Sequence, residues 1–228
     1  MKNIILLHGA LGAQDQLEPL ENALSQLDYQ VHSFSFSGHG KTAFQNEFGI
    51  VQFANELEKF ISKHKLQQPS VFAYSMGGYV ALYLASQKNS LLGNIITLGT
   101  KFGWTKETAQ REIKQLDPKV ILEKVPKYAD ALKQRHGDDW ELLLERTADM
   151  MVSLGNNNIL NSDLFSKINN HVLVGLADKD SMVTAEETTI AIDQLYNSER
   201  YTLHDTKHPM ETVDVAILAA IIDAFLKK

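Results

Sequence analysis

Three residue types stand in an order that suits attack on a carbonyl carbon. Ser75 lies in the stretch Ser70-Val71-Phe72-Ala73-Tyr74-Ser75-Met76-Gly77-Gly78. A serine hydroxyl is a weak nucleophile near neutral pH, so it needs a base to take its proton and a carboxylate to orient that base. Downstream, residues 171–174 (HVLV) lead into Gly175-Leu176-Ala177-Asp178-Lys179-Asp180-Ser181-Met182-Val183. Residues 200–203 lead into His204-Asp205-Thr206-Lys207-His208-Pro209-Met210-Glu211. Serine, acid and histidine therefore follow one another along the chain, each just after a strand-like run. Two carboxylates compete for the second place. Counting three residues from Gly175 selects Asp178, and counting back from Met182-Val183 selects Asp180, which is the acid taken here. His208 is taken as the base over His204, which sits at the strand end without the Pro-x-Glu that follows His208.

The elements around these residues must hold them at one place. Residues 70–74 are β-branched and aromatic, as a buried strand requires, and residues 76–87 place Val80, Tyr83 and Leu84 at helical spacing. Ser75 lies between them with small residues two positions away on each side, Ala73 and Gly77. A strand–tight turn–helix holds a serine in strained geometry and leaves no room for large neighbours there. Alanine replaces the more usual glycine at the first of these positions. Other strand-like runs fall at residues 3–7, 29–36 and 94–98, with helical patterns at 16–27, 50–66, 185–195 and 212–226. Continuous apolar runs such as residues 3–7 (NIILL) suit strands buried on both faces. The alternation predicts an α/β fold, a doubly wound and mostly parallel sheet, as a single domain over 1–228. The rhythm breaks at residues 101–170, which carry helical patterns only, at about 106–116, 118–123, 127–135 and 138–154. They read as a helical insertion after the fourth strand.

Composition narrows the function classes. A net charge of −6 over 228 residues, with no basic cluster among aromatics, argues against nucleic acid as a partner. With no cysteine there is no disulfide, thiolate metal site or cysteine nucleophile. No H-E-x-x-H or EF-hand pattern occurs, and Gly9 and Gly12 are not part of a G-x-G-x-x-G, so neither a metal nor a cofactor is expected. The first apolar run is too short for a secretory core or a membrane span. A cytoplasmic protein without a membrane partner, monomeric or homodimeric, is the expectation. Among the eight histidines, His8 and His39 are expected to organise their loops, and His32, His64, His136 and His171 to lie at the surface or at strand ends.

Four segments together resemble the α/β-hydrolase superfamily: His8-Gly9-Ala10-Leu11-Gly12, Gly38-His39-Gly40, Ala73-Tyr74-Ser75-Met76-Gly77, and the acid and histidine loops. The resemblance implies that Ser75 is the nucleophile and His208 the general base. It implies that the backbone amides of Met76 and Ala10, with Leu11 as the alternative to Ala10, hold the oxyanion. It further implies that residues 101–170 form a cap that roofs the site and selects the substrate. Phe102 and Trp104, just past a strand's C-terminal end, are expected to line the substrate pocket. Tyr128, Trp140, Met150, Met151 and Leu154 are further candidates, and Arg111, Arg135 and Arg146 are either carboxylate partners or solvated. The expected activity is hydrolysis of a carboxylic ester or thioester of a small to medium substrate through an acyl-enzyme. The alternatives are C–C bond hydrolysis, a lyase of the menaquinone-pathway type, and a hydrolase-like binding protein without turnover.

Overall fold

The computed structural model describes residues 2–228. Six strands, β1 (Lys2–Leu7), β2 (Tyr29–Ser33), β3 (Ser70–Tyr74), β4 (Ile95–Leu98), β5 (Val172–Ala177) and β6 (Ser198–Leu203), form one sheet in the order β2-β1-β3-β4-β5-β6. Every neighbouring pair is parallel. The apolar runs are buried on both faces for the reason their composition suggests. Ile4, Leu6, Phe72 and Tyr74 point into one layer with α1 (Glu18–Ser25) and α10 (Val215–Leu226). Ile5, Leu7, Val71 and Ala73 point into the other, with α2 (Ile50–Lys63) and α3 (Met76–Gln87). Helix α9 (Ala185–Gln194) joins β5 to β6. Chain order reverses between β1 and β3, which flank each other while β2 lies on the far side of β1. The C-terminal ends of β1 and β3 thus border the crevice where open α/β sheets bind ligands.

Between β4 and β5 run α4 (Lys106–Ile113), α5 (Pro118–Lys124), α6 (Pro126–His136), α7 (Trp140–Asn156) and the short α8 (Ser162–Phe165). Their starts follow local chemistry. Thr105 and Thr108 form a reciprocal capping box for α4, Asp117 caps α5, and prolines open α5 and α6. Trp140, Leu143 and Leu144 of α7 gather with Ile121, Ala129, Leu132 and Leu11 into a small separate core. Met150, Met151 and Leu154, further along α7, join the main core.

Element ends depart from the sequence reading where tertiary partners intervene. β2 stops at Ser33 rather than residue 36, and the Phe36 amide donates to His8 Nε2 instead of to a strand. β5 runs on to Ala177 because Gly175, Leu176 and Ala177 pair with Tyr201, Thr202 and Leu203 of β6. The closing helix begins at Val215, where Asp214 caps it, after a 3-10 turn at Met210–Thr212. The short α8 has no counterpart in the sequence pattern, since four residues carry too little periodicity to read.

Candidate active site

Ser75 joins β3 to α3 with φ 50° and ψ −116°, a conformation that costs a non-glycine residue on the order of 1–3 kcal/mol. Bonds on both sides hold it: the Ser75 amide donates to Leu98 O at 2.8 Å, and Ser75 O accepts from Thr100 Oγ1 and from the Gly78 amide, both at 3.0 Å. The small flanking residues separate in their necessity. A Cβ at Gly77 would lie 2.8 Å from the carbonyl oxygens of both Leu7 and His8. The methyl of Ala73, by contrast, sits fully buried in the layer beside α3.

Ser75 Oγ lies 3.3 Å from His208 Nε2, and His208 Nδ1 lies 2.6 Å from Asp180 Oδ2. A carboxylate can only accept, so Nδ1 carries the proton and Nε2 is left to accept from the serine hydroxyl. The other oxygen of Asp180 accepts the amides of Met182 (2.8 Å) and Val183 (2.9 Å). Burial by itself would raise the Asp180 pKa. The His208 hydrogen bond and charge, with the two amides, outweigh it and hold the carboxyl below its ordinary value. Tyr74 OH donates to His208 O at 2.6 Å. Gly99, at φ 61°, leaves open the space beside the pair, where a Cβ would come within 3.4 Å of Asp180 Oδ2 and His208 Nδ1. The two alternative candidates find each other instead: His204 Nδ1 lies 3.2 Å from Asp178 Oδ2, with the His204 side chain 83% exposed. Asp180 and His208 are thus the pair brought to Ser75.

The loop after β1 closes a turn in which the Gly12 amide donates to Gly9 O at 3.1 Å. Leu11 stands in that turn at φ 58°, where glycine is usual. His8 donates from Nδ1 to Gly9 O (2.8 Å) and accepts the Phe36 amide at Nε2 (3.1 Å). Its burial lowers the imidazole pKa to about 4, so it is neutral. Ala10, Leu11 and Met76 line the cavity above Ser75, and among the described residues their amides donate to no acceptor. His136 requires a correction. Expected at the surface, it is buried, because it bonds two loops of the sheet domain, Nε2 donating to Leu11 O (3.0 Å) and Nδ1 accepting the Gly40 amide (3.0 Å). No local signal in the sequence distinguishes it from an exposed histidine at a helix end.

The cavity holds about 300 Å³, at the lower end of the range of roughly 300–1,000 Å³ common for small-molecule sites. Trp104, Ile50, Leu116, Met150, Met151 and Leu154 give it an apolar wall. Gln16, Tyr128, Arg135 and Glu211 give it a polar one, with Gln16 Nε2 donating to Glu211 Oε1 at 3.0 Å. Phe102 lies elsewhere, a second correction: its ring packs edge-on against Phe165 at 5.8 Å, buried in the core rather than against the cavity. Trp140 likewise serves the small core around Leu11. Arg135 lines the cavity, whereas Arg111 and Arg146 are exposed. Among the described residues there is no group of three or more His, Cys, Asp or Glu side chains that could hold a metal ion, and no helix long and apolar enough to cross a membrane.

Known proteins share this architecture. An esterase from Exiguobacterium antarcticum superposes with a TM-score of 0.83 at 17% identity, over 100% of this chain and 92% of that one. A thermophilic esterase from Thermogutta terrifontis superposes with a TM-score of 0.78 at 15% identity, over 100% of this chain and 90% of that one. At these identities the likeness is one of fold. By sequence, the chain is 28% identical over 89 residues to ethanol acetyltransferase 1 of Hanseniaspora uvarum, a match covering 39% of this chain and 27% of that protein. The matched stretch spans about a quarter of the length of the curated relatives. The model of the alpha/beta hydrolase fold family matches residues 2–146. With that match over more than half of its length, and a parallel sheet in which a serine turn follows β3, the chain belongs to the alpha/beta hydrolase fold family.

Proposed function

We propose that the protein is a serine esterase that works through an acyl-enzyme. The observation that carries this reading is the continuous chain Ser75 Oγ–His208 Nε2, 3.3 Å, and His208 Nδ1–Asp180 Oδ2, 2.6 Å, opening into a largely apolar cavity. In this reading Ser75 Oγ attacks the ester carbonyl while His208 takes its proton. The amides of Met76 and Ala10, with Leu11 as the alternative, stabilise the oxyanion, each by roughly 3–4 kcal/mol. Imidazolium then protonates the departing alcohol, and water, deprotonated by the same imidazole, releases the acid. Asp180 keeps the proton on Nδ1 throughout.

Residues 101–170 serve as the cap over this chemistry, with α7 and the chain after α4 supplying Met150, Met151, Leu154 and Leu116 to the acyl wall. Methionines are flexible and polarizable, which suits linear acyl groups of small to medium length. The charges of the cavity favour an uncharged substrate. Lys101 Nζ pairs with Glu187 at 3.3 Å and bonds Met182 O at 3.0 Å, and Arg135 faces Asp15 at 3.4 Å and Glu211 at 3.7 Å. With its lining cations engaged by carboxylates, the cavity is a poor host for the polycarboxylate that a lyase reading needs. A second fate of the same acyl-enzyme is favoured by the match to ethanol acetyltransferase 1. An alcohol in place of water would attack the acyl-enzyme and form a new ester.

One experiment tests the assignment. A fluorophosphonate probe is expected to label the wild type at Ser75, and p-nitrophenyl acetate, butyrate and octanoate to be turned over, with Ser75→Ala losing both. Unlabelled wild type without ester turnover would sink the serine-esterase reading, and turnover surviving in Ser75→Ala would displace the nucleophile. Added ethanol separates the two fates, since ethyl ester accumulates only if an alcohol competes with water.

A further inference from the structure

The helical segment after β4 and the loop after β1 meet through one side chain. His136, the last residue of α6, is 3% exposed. Its Nε2 and the Leu11 carbonyl lie 3.0 Å apart, as do its Nδ1 and the Gly40 amide. A carbonyl can only accept and an amide N–H can only donate, so the ring is neutral with its proton on Nε2. Leu11 is held in the left-handed region at φ 58°, and no preference of its own keeps a leucine there. Among the described residues no group other than His136 bonds the Leu11 carbonyl. His136 itself does not line the cavity. Its neighbour Arg135 ties the same helix end to Asp15 in the β1 loop and to Glu211 in the histidine loop.

We propose that His136 is a positioning residue for acyl transfer at Ser75. By holding the Leu11 carbonyl, it fixes the orientation of the Gly9-Ala10-Leu11-Gly12 turn and hence the aim of the Ala10 and Leu11 amides at the reacting oxygen. The oxyanion-binding loop is therefore complete only when α6 is docked, which joins substrate enclosure to catalytic competence. The inference rests on the reading of Ser75 as nucleophile, and its effect belongs in kcat, because His136 touches no substrate and a misdirected donor is felt in the transition state.

The two bonds of the ring can be separated by substitution. Asparagine offers an acceptor near Nδ1 for Gly40, glutamine offers a donor near Nε2 for Leu11, and alanine offers neither. At neutral pH, His136→Ala and His136→Asn are expected to lower kcat roughly 10–100-fold, less than outright loss of an oxyanion donor, with KM unchanged. His136→Gln is expected to recover most of that loss. Amide hydrogen exchange supplies a readout independent of turnover: Gly12 should exchange faster in the alanine and asparagine variants and stay protected in the glutamine variant. The proposal is overturned if His136→Ala keeps wild-type kcat, if the loss falls in KM, or if asparagine and glutamine behave alike. Should the wild type neither label nor turn over ester, the reading of Ser75 fails. Unchanged Gly12 protection in His136→Ala would then overturn the positioning role by itself.

Discussion

Asp178 and Asp180 differ by two positions in sequence and by everything in surroundings. Asp178 faces an exposed histidine at the end of β6, whereas Asp180, its side chain 1% exposed, accepts from His208 and from two backbone amides. The sequence frames pointed to both, because the turn after β5 contains two aspartates within reach of two histidines. Which pair faces Ser75 depends on how far β5 continues before the chain turns, and that was set by its ladder with β6. Asp180→Asn removes the charge that holds the imidazole tautomer and is expected to lower kcat about 10⁴-fold. Asp178→Asn is expected to leave kcat unchanged. Steady-state kinetics on p-nitrophenyl butyrate checks both, and equal losses in the two variants would refute the assignment of the acid.

The strand–serine–helix turn shows the same division one level up. Strand β3 and helix α3 were legible to the residue, since an apolar run meets a helical pattern there with no competing partner. The steric argument for small neighbours was legible too, though not that the space at Gly77 is the tighter of the two. That follows from the end of β1, where the carbonyls of Leu7 and of His8 just beyond it pass 2.8 Å from where a Gly77 side chain would begin. Gly77→Ala must displace backbone rather than a flexible side chain, and is expected to cost about 1–3 kcal/mol of stability together with fluorophosphonate labelling of Ser75. Denaturant unfolding and probe labelling measure the two effects, and an unchanged labelling rate would show that the turn tolerates the methyl. Phe102 and Trp104 divide similarly. Both follow β4 as expected of ligand-contacting residues, but the α8 side of the sheet claims the first and the cavity the second.

Over the whole molecule, three buried histidines link the loops after β1 and β2 to α6. The rings of His8 and His39 are 4.9 Å apart and those of His39 and His136 6.1 Å apart. Burial is the largest influence on each and lowers all three pKa values, that of His8 to about 4. Unfolded histidine takes up a proton near pH 6.5 and the buried ring does not, so the stability from these groups is complete above that pH. It falls away as pH drops below about 6.5; the His8 part is lost between about 6.5 and about 4 and accounts for roughly 3 kcal/mol. Asp180 acts in a lower window, since a depressed carboxyl contributes stability that is lost only as pH falls below its ordinary value. Urea unfolding across this range should show the loss in the wild type and a shallower dependence in His8→Gln, and identical slopes would exclude His8 as a source.

Order and local pattern belong to the sequence by itself: apolar runs that must be buried on both faces, small residues around Ser75, and an acid and a histidine placed after later strands. Those features are local, and a strand, a turn or a helix start answers to its own residues. The tertiary structure set Asp180 rather than Asp178 against His208, withdrew Phe102 from the cavity and brought His136 from a distant helix onto the Leu11 carbonyl. Each of those outcomes turns on contacts between segments far apart in the chain. A side chain's partner across such a distance is set by packing of whole elements, on which its immediate neighbours in sequence carry no information.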